Sequence, residues 1–126
     1  MKRNSNFLRS LTIATQGMLL FFQEQRNAKI HLVCTAMVLC SCYLLHLSAL
    51  EVAILLLTCA VVLVTECLNT ALEETVNLVT QEYHPLAKKA KDIAAGAVLI
   101  SSIFAVIIWL VVCYQPLLAV LRPHIL

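Results

Sequence analysis

The sequence predicts an all-α integral membrane protein that forms a single domain over residues 1–126. Hydrophobic residues make up 61% of the chain and charged residues 13%, and the mean hydropathy is +0.90, values far from those of a soluble domain of this size. Three stretches approach the roughly 20 apolar residues that are needed to cross about 30 Å of hydrocarbon. No stretch shows the alternating pattern of a β-strand.

The first predicted element is an amphipathic helix over about residues 5–24. Its apolar side chains recur at helical spacing: Phe7, Leu8, Leu11, Ala14, Met18 and Phe22. Polar side chains take the other faces, so we expect this helix to lie in the cytoplasmic membrane interface. A disordered basic tail is the alternative interpretation of the segment.

Three membrane spans follow, over about residues 30–50, 52–72 and 93–114. Proline suits the first turn of a helix, so Pro85 is predicted to open the third spanning helix before it enters the membrane. Small residues then repeat at spacings of three and four, namely Ala87, Ala90, Ala94, Ala97 and Ser101. Such a face lets two helix backbones approach closely in lipid, and packing on the second span would bring Lys91 and Asp92 towards it.

The distribution of lysine and arginine predicts the topology. These residues are concentrated before the first span and between the second and third spans, whereas residues 46–51 contain none. By the positive-inside rule, the N-terminus and the loop before Pro85 are therefore cytoplasmic. The net charge of +2 is small, and it gives no indication of nucleic acid binding.

Four polar residues mark the candidate site. Glu66, Asn69, Glu73 and Asn77 follow one another at spacings of three, four and four, and they fall within a helical stripe about 80° wide. The preceding residues 52–65 carry no charge. An ionisable group at that depth is costly unless it pairs or binds something, so the stripe is predicted to be functional.

The spacing of the two carboxylates suggests separate roles. Glu66 and Glu73 are about 10 Å apart along a helix axis, too far to share one metal ion. One can hold Mg²⁺ with bound phosphates, while the deeper one can accept a proton from a buried hydroxyl. A Walker loop is excluded because the chain has only Gly17 and Gly96.

These features point to phosphoryl transfer from a nucleotide to a lipid alcohol. The alternative is a small oligomeric transporter or channel that uses the carboxylate stripe as a proton or cation path. That reading expects acidic residues near the bilayer midplane, whereas these cluster at the cytoplasmic end of the span.

Residues 66–76 (ECLNTALEETV) and 82–98 (EYHPLAKKAKDIAAGAV) resemble the prokaryotic diacylglycerol kinase and undecaprenol kinase family. The similarity runs from about Phe7 to Val112. It implies a membrane lipid kinase of the bacterial plasma membrane, a homotrimer of three-span subunits, each with an N-terminal surface helix. It also implies active sites shared between subunits and Mg·ATP as the phosphoryl donor.

The resemblance also implies roles for single residues. Glu66 matches the catalytic base, and with Asn69 it is expected to bind the lipid substrate. Glu73 matches a metal-binding and ATP-binding glutamate. The remaining ATP-binding positions fall on Glu82, Tyr83, His84, Lys91 and Asp92.

The chain departs from the family pattern at three positions. The second metal-binding glutamate falls on Gln25, with Glu24 one position earlier, so either residue is a candidate to complete the metal site. Asn77 stands where many members carry aspartate. The family's N-terminal arginine falls near Asn6, so its role is not carried over to Arg9.

Undecaprenol and diacylglycerol are both candidate substrates. The segment from Arg26 to His31, together with Pro85 directly after Tyr83-His84, resembles the undecaprenol kinase branch more than the diacylglycerol branch.

Overall fold

The computed structural model describes residues 3–121, which form four α-helices: α1 (Arg3–Glu24), α2 (Arg26–Leu44), α3 (Ala49–Val79) and α4 (Pro85–Leu121). Within this range there is no strand, so the all-α prediction is confirmed for the described chain. The helices α2, α3 and α4 are each long and apolar enough to cross a membrane. The chain is therefore a multi-pass membrane protein.

The helix α1 makes few contacts with the rest of the subunit and packs mainly on α2. Phe21 is its one buried residue among the described side chains, and the ring of Phe22 lies 5.0 Å from that of Phe21. The apolar side chains of Phe7, Leu8 and Leu11 are more than half exposed. The helix predicted near residues 5–24 is present, and its position on a membrane surface stays a prediction.

The helix α2 ends at Leu44, six residues before the predicted end of the first span, because a hydrogen-bonded cap stops it. His46 takes a left-handed conformation with φ 52°. Its N–H donates to the carbonyl of Tyr43 at 3.2 Å, and the N–H of Leu47 donates to that of Cys42 at 3.1 Å. These are the two bonds of a Schellman motif, which satisfies the last carbonyls of a helix. Hydropathy alone does not reveal this stop.

The start of α3 is fixed by a capping box. The Ser48 hydroxyl accepts from the Glu51 N–H at 3.4 Å, and the Glu51 carboxylate accepts from the Ser48 N–H at 2.7 Å. Two N–H groups that lack partners within the helix are thereby satisfied. Residues 45–48 alone link α2 to α3, so the two helices run antiparallel as neighbours.

The helices α3 and α4 are longer than a bilayer requires. With 31 and 37 residues, they extend about 46 and 55 Å, against about 30 Å of hydrocarbon. Pro116, two residues beyond the predicted end of the third span, lies inside α4, which continues to Leu121. The end of α3 and the start of α4 meet at residues 80–84, and α4 begins at Pro85 as predicted.

The described part of the chain buries little apolar surface. Its main cluster consists of Cys42, Leu55 and Cys113, one from each spanning helix. Trp109 packs against this cluster, and its indole N–H donates to the Ser41 hydroxyl at 3.0 Å, which joins α4 to α2. An apolar cavity of about 510 Å³ remains between the three spanning helices. Most of the large apolar side chains in the described chain are thus exposed.

Candidate active site

The four stripe residues all lie on α3, and their burial decreases towards its C-terminal end. Glu66 is 3% exposed and Asn69 is 9% exposed. Glu73 is half-buried, and Asn77 is exposed. The site therefore runs from the protein interior to the surface along one helix.

Glu66 is a buried carboxylate on a helix that can span the membrane. Val62, one turn earlier on α3, is also buried, and no hydrogen bond joins the Glu66 carboxylate to another described side chain. A buried carboxylate without a partner is costly in a low-dielectric setting. The arrangement leaves both oxygens of Glu66 free to accept a proton or a hydrogen bond from a bound molecule.

Asn69 connects the two carboxylates of the stripe. Its side-chain amide donates to the Glu73 carboxylate at 3.0 Å. Its own carbonyl oxygen is buried and has no hydrogen-bond partner in the described chain. An orphaned buried acceptor is rare in folded proteins, and it usually marks a place where a ligand, ion or water completes the site.

Lys91, on α4, contacts the exposed end of the stripe. Its ammonium group donates to the Asn77 side-chain oxygen at 2.7 Å, as the predicted packing of α4 on α3 requires. Asn77 is neutral, so this contact orients the lysine without neutralising it. The positive charge stays available to an anionic ligand such as a phosphate.

Asp92 is held differently. It forms an ion pair with Lys88, one turn earlier on α4, and both side chains are 60% exposed. A pair this exposed contributes little to stability. Of the two residues expected near the stripe, only Lys91 has a hydrogen bond to it.

Glu82, Tyr83 and His84 form the exposed connection between α3 and α4. The Glu82 N–H donates to the Thr80 hydroxyl at 3.2 Å, which turns the chain after α3. The His84 Nδ1 accepts from the Leu86 N–H at 3.2 Å and so caps α4. A ring nitrogen that accepts carries no proton, so the Nε2 of neutral His84 is a donor. Sequence reasoning missed this capping role, because histidine is an uncommon N-cap.

Glu24 and Gln25 lie where α1 passes into α2. Glu24 is exposed and ends α1, while Gln25 is half-buried and occupies the N-cap position of α2 without a side-chain capping bond. In residues 3–121, no three histidine, cysteine, aspartate or glutamate side chains gather where they could hold one ion. The carboxylate oxygens of Glu73 suit Mg²⁺, which is commonly bound by one or two carboxylates together with phosphates and waters.

One interhelical contact beside the stripe was not foreseen. The hydroxyls of Thr65 on α3 and Ser101 on α4 lie 2.9 Å apart, and either can be the donor. Ser101 was expected only as a small residue of the packing face. Sequence shows the hydroxyls but not that these two face each other.

The chain is similar to known membrane kinases over most of its length. Residues 12–113 match the family model of prokaryotic diacylglycerol kinase. A diacylglycerol kinase of Synechocystis sp. is 47% identical over 117 residues, which cover 92% of this chain and 67% of that protein. An undecaprenol kinase of Bacillus subtilis is 38% identical over 108 residues, 86% of this chain and 88% of that protein. A diacylglycerol kinase of Escherichia coli K12 is 36% identical over 78 residues, 62% of this chain and 63% of that protein.

The match covers α2, α3 and most of α4, including Glu66, Asn69, Glu73 and Lys91. The transporter alternative finds no support in this similarity. The chain belongs to the prokaryotic diacylglycerol kinase family and is a membrane lipid kinase.

Proposed function

We propose that this protein transfers the γ-phosphate of ATP to the hydroxyl of a membrane lipid alcohol, at the cytoplasmic face of a bacterial plasma membrane. The observation that carries the proposal is the burial gradient along α3. A nearly inaccessible carboxylate lies at one end of the stripe, and an exposed lysine contact lies at the other. In this proposal the lipid hydroxyl approaches Glu66 from the membrane, and ATP approaches the exposed end from water.

Glu66 is the proposed general base. Its buried carboxylate accepts the proton of the lipid hydroxyl as that oxygen attacks the γ-phosphorus of ATP. The bond from the γ-phosphorus to the bridging oxygen of ADP then breaks, and ADP leaves. The unpartnered carbonyl of Asn69 is placed to accept a hydrogen bond from the bound lipid.

The nucleotide is proposed to bind at the surface end. Lys91 contributes its charge to the phosphates, since its contact to Asn77 is to a neutral oxygen. Glu82, Tyr83, His84 and Asp92 are exposed next to it in sequence and are proposed to contact the rest of ATP. Positioning and electrostatics supply most of the catalysis in phosphoryl transfer, so few groups are needed.

The donor set also fits Mg²⁺. Glu73, with Glu24 or Gln25, would hold the ion together with the ATP phosphates. When bound, Mg²⁺ neutralises phosphate charge that develops during transfer. The Asn69 amide holds one oxygen of Glu73 at 3.0 Å, which limits the rotation of this carboxylate.

The positive-inside pattern places the N-terminus in the cytoplasm in this proposal. The exposed apolar side chains of α1 would then lie in the cytoplasmic interface, where lipid headgroups and acyl chains meet. The predicted spans near residues 52–72 and 93–114 remain part of the proposal, while the first span, predicted near residues 30–50, is proposed to end with α2 at Leu44.

Undecaprenol is the first candidate acceptor and diacylglycerol the second, as the sequence around Arg26 and Pro85 suggests. The test uses purified protein in detergent with γ-³²P-labelled ATP and each alcohol in turn. We expect label in the organic phase with one of the two, and much less with the other. Absence of labelled lipid from every alcohol in a broad panel, with the protein folded and Mg²⁺ present, would contradict the proposal.

An oligomer with shared sites, a homotrimer by resemblance, is also proposed. Within one subunit, Glu66 and the Asn77–Lys91 contact are about 16 Å apart along α3, eleven residues at 1.5 Å each. The small number of buried side chains likewise leaves extensive surface for neighbouring subunits. We infer that the Glu66 of one subunit acts with the Lys91 of another.

Subunit mixing tests this inference. Glu66→Gln and Lys91→Ala should each be inactive alone, and co-assembled subunits should recover part of the activity, because some sites then draw both intact residues. Differently tagged subunits, purified over two affinity columns, prove that mixing has occurred. No recovery in doubly tagged oligomers would show that one chain supplies both residues.

A further inference from the structure

The helices α3 and α4 make the most extensive contact in the subunit, yet most of that contact is nondirectional. Apolar and small side chains in lipid bring helices close, but they fix the axial position and rotation of one helix against another only loosely. Hydrogen bonds across the interface are directional and set both. Among the described side chains, two such bonds join α3 to α4: Thr65 with Ser101 and Asn77 with Lys91.

These two contacts bracket the stripe. Thr65 precedes Glu66 directly in the chain, whereas Asn77 lies four residues after Glu73. Along α4, Lys91 and Ser101 are about 15 Å apart, and along α3, Thr65 and Asn77 are about 18 Å apart. The helices run antiparallel, so the hydroxyl pair fixes the buried end of the stripe and the lysine contact fixes the exposed end.

Either hydroxyl of the pair can also be anchored to a backbone carbonyl of its own helix. The Thr65 hydroxyl also lies 3.0 Å from the Val61 carbonyl and 2.9 Å from that of Val62, within bonding distance of both. The Ser101 hydroxyl lies 2.9 Å from the Val98 carbonyl on its own helix. Because each hydroxyl has one proton, one of them can donate to its own backbone carbonyl while the other donates across the interface, so the pair links the backbone of one helix to the side chain of the other.

We propose that Thr65 and Ser101 are positioning residues that hold Glu66 in its catalytic orientation by fixing α3 against α4. A slip of one residue between the helices would turn the Glu66 side chain by about 100° around the axis of α3. Neither hydroxyl touches ATP or lipid in this proposal, which rests on the assignment of Glu66 as the base. Removing the pair should lower the rate of transfer and leave ATP binding, at the other end, nearly unchanged.

The test compares kcat and the KM for ATP among purified variants, each normalised to folded protein by size-exclusion chromatography. Thr65→Val preserves the side-chain shape, and Ser101→Ala removes only a hydroxyl. We expect each to lower kcat about tenfold, since a small displacement of a catalytic group costs up to about 10²-fold. The KM for ATP should stay within about twofold, and the double variant should be no slower than either single one.

Two controls remove similar hydroxyls that make no bond between α3 and α4. Thr58→Val deletes a hydroxyl on α3 that donates to the Ile54 carbonyl at 2.7 Å. Ser102→Ala changes the residue next to Ser101. Both should keep wild-type kcat, and the exchanged pair Thr65→Ser with Ser101→Thr should restore most of the rate, because it retains both hydroxyls.

The outcomes distinguish a failure of this proposal from a failure of the assignment of Glu66 as the general base. If Thr65→Val and Ser101→Ala have the same kcat as Thr58→Val and Ser102→Ala, the positioning role is wrong even though the enzyme is active. Additive losses in the double variant, or a failed exchange, would also overturn it. If Glu66→Gln is fully active, the assignment of the base has failed instead. If Thr65→Val does not fold, the kcat values of Ser101→Ala and of the exchanged pair still test the positioning role.

Discussion

Glu66→Gln is expected to lower kcat by at least about 10²-fold while the protein folds and assembles normally. Loss of a general base typically costs 10²- to 10⁴-fold. Glutamine is nearly isosteric with glutamate, and at a position that is 3% exposed it removes a charge that is costly to bury. The rate should therefore fall without a loss of thermal stability.

Glu74→Gln is the matched control for this prediction. Glu74 lies on the same helix, is exposed, and belongs to none of the proposed contacts. Labelled lipid formation is measured under saturating ATP and acceptor for both variants, with the unfolding midpoint recorded in the same detergent. A Glu66→Gln enzyme that turns over at the rate of Glu74→Gln would remove Glu66 from the chemistry.

Glu73→Ala is expected to raise the Mg²⁺ concentration needed for half-maximal activity by about 10- to 100-fold, and to weaken ATP binding with it. Removing a residue that only supports a metal ligand typically lowers metal affinity by about 10- to 100-fold. Removing a direct ligand should lower it by at least as much. The substitution also deprives the Asn69 amide of its acceptor, leaving a second unpaired polar atom on a residue that is 9% exposed. Some loss of stability should therefore accompany the kinetic effect.

Three companion variants sharpen this result. Glu74→Ala, one position along, should leave the Mg²⁺ titration unchanged. Glu24→Ala and Gln25→Ala, compared side by side, identify which residue completes the metal site, since only the true ligand should shift the titration. A Glu73→Ala enzyme with the wild-type Mg²⁺ requirement would refute the metal assignment. If Glu24→Ala and Gln25→Ala both keep the wild-type Mg²⁺ requirement, the α1–α2 junction does not reach the ion.

Much of the architecture was readable from the chain because lipid imposes strong rules on sequence. Apolar length predicted the three long helices α2, α3 and α4, and Pro85 predicted where α4 begins. The helical spacing of Glu66, Asn69, Glu73 and Asn77 placed them on one helix side without any tertiary information. The family match, over residues 12–113, includes all four of them.

Other features depend on local backbone conformation and on rotamers, which composition and hydropathy do not specify. Hydropathy could not show that His46 would stop α2 early, because the cap depends on backbone conformation rather than on polarity. It could not show that α4 continues through Pro116, since proline lacks a backbone donor and its ring crowds the carbonyl one turn earlier. The ion pair of Asp92 with Lys88 depends on rotamers that a sequence does not specify.

The sequence by itself determined the class of protein, the number of long helices and the helix that carries the carboxylates, since each follows from local composition and helical periodicity. The tertiary structure alone decided which groups meet. It left Glu66 without a hydrogen bond from the described side chains, tied Asn69 to Glu73, and brought Lys91 to Asn77. It also paired Thr65 with Ser101, thirty-six positions apart. The axial and rotational position of α4 on α3 produces the last two contacts, and no local pattern in the sequence encodes it.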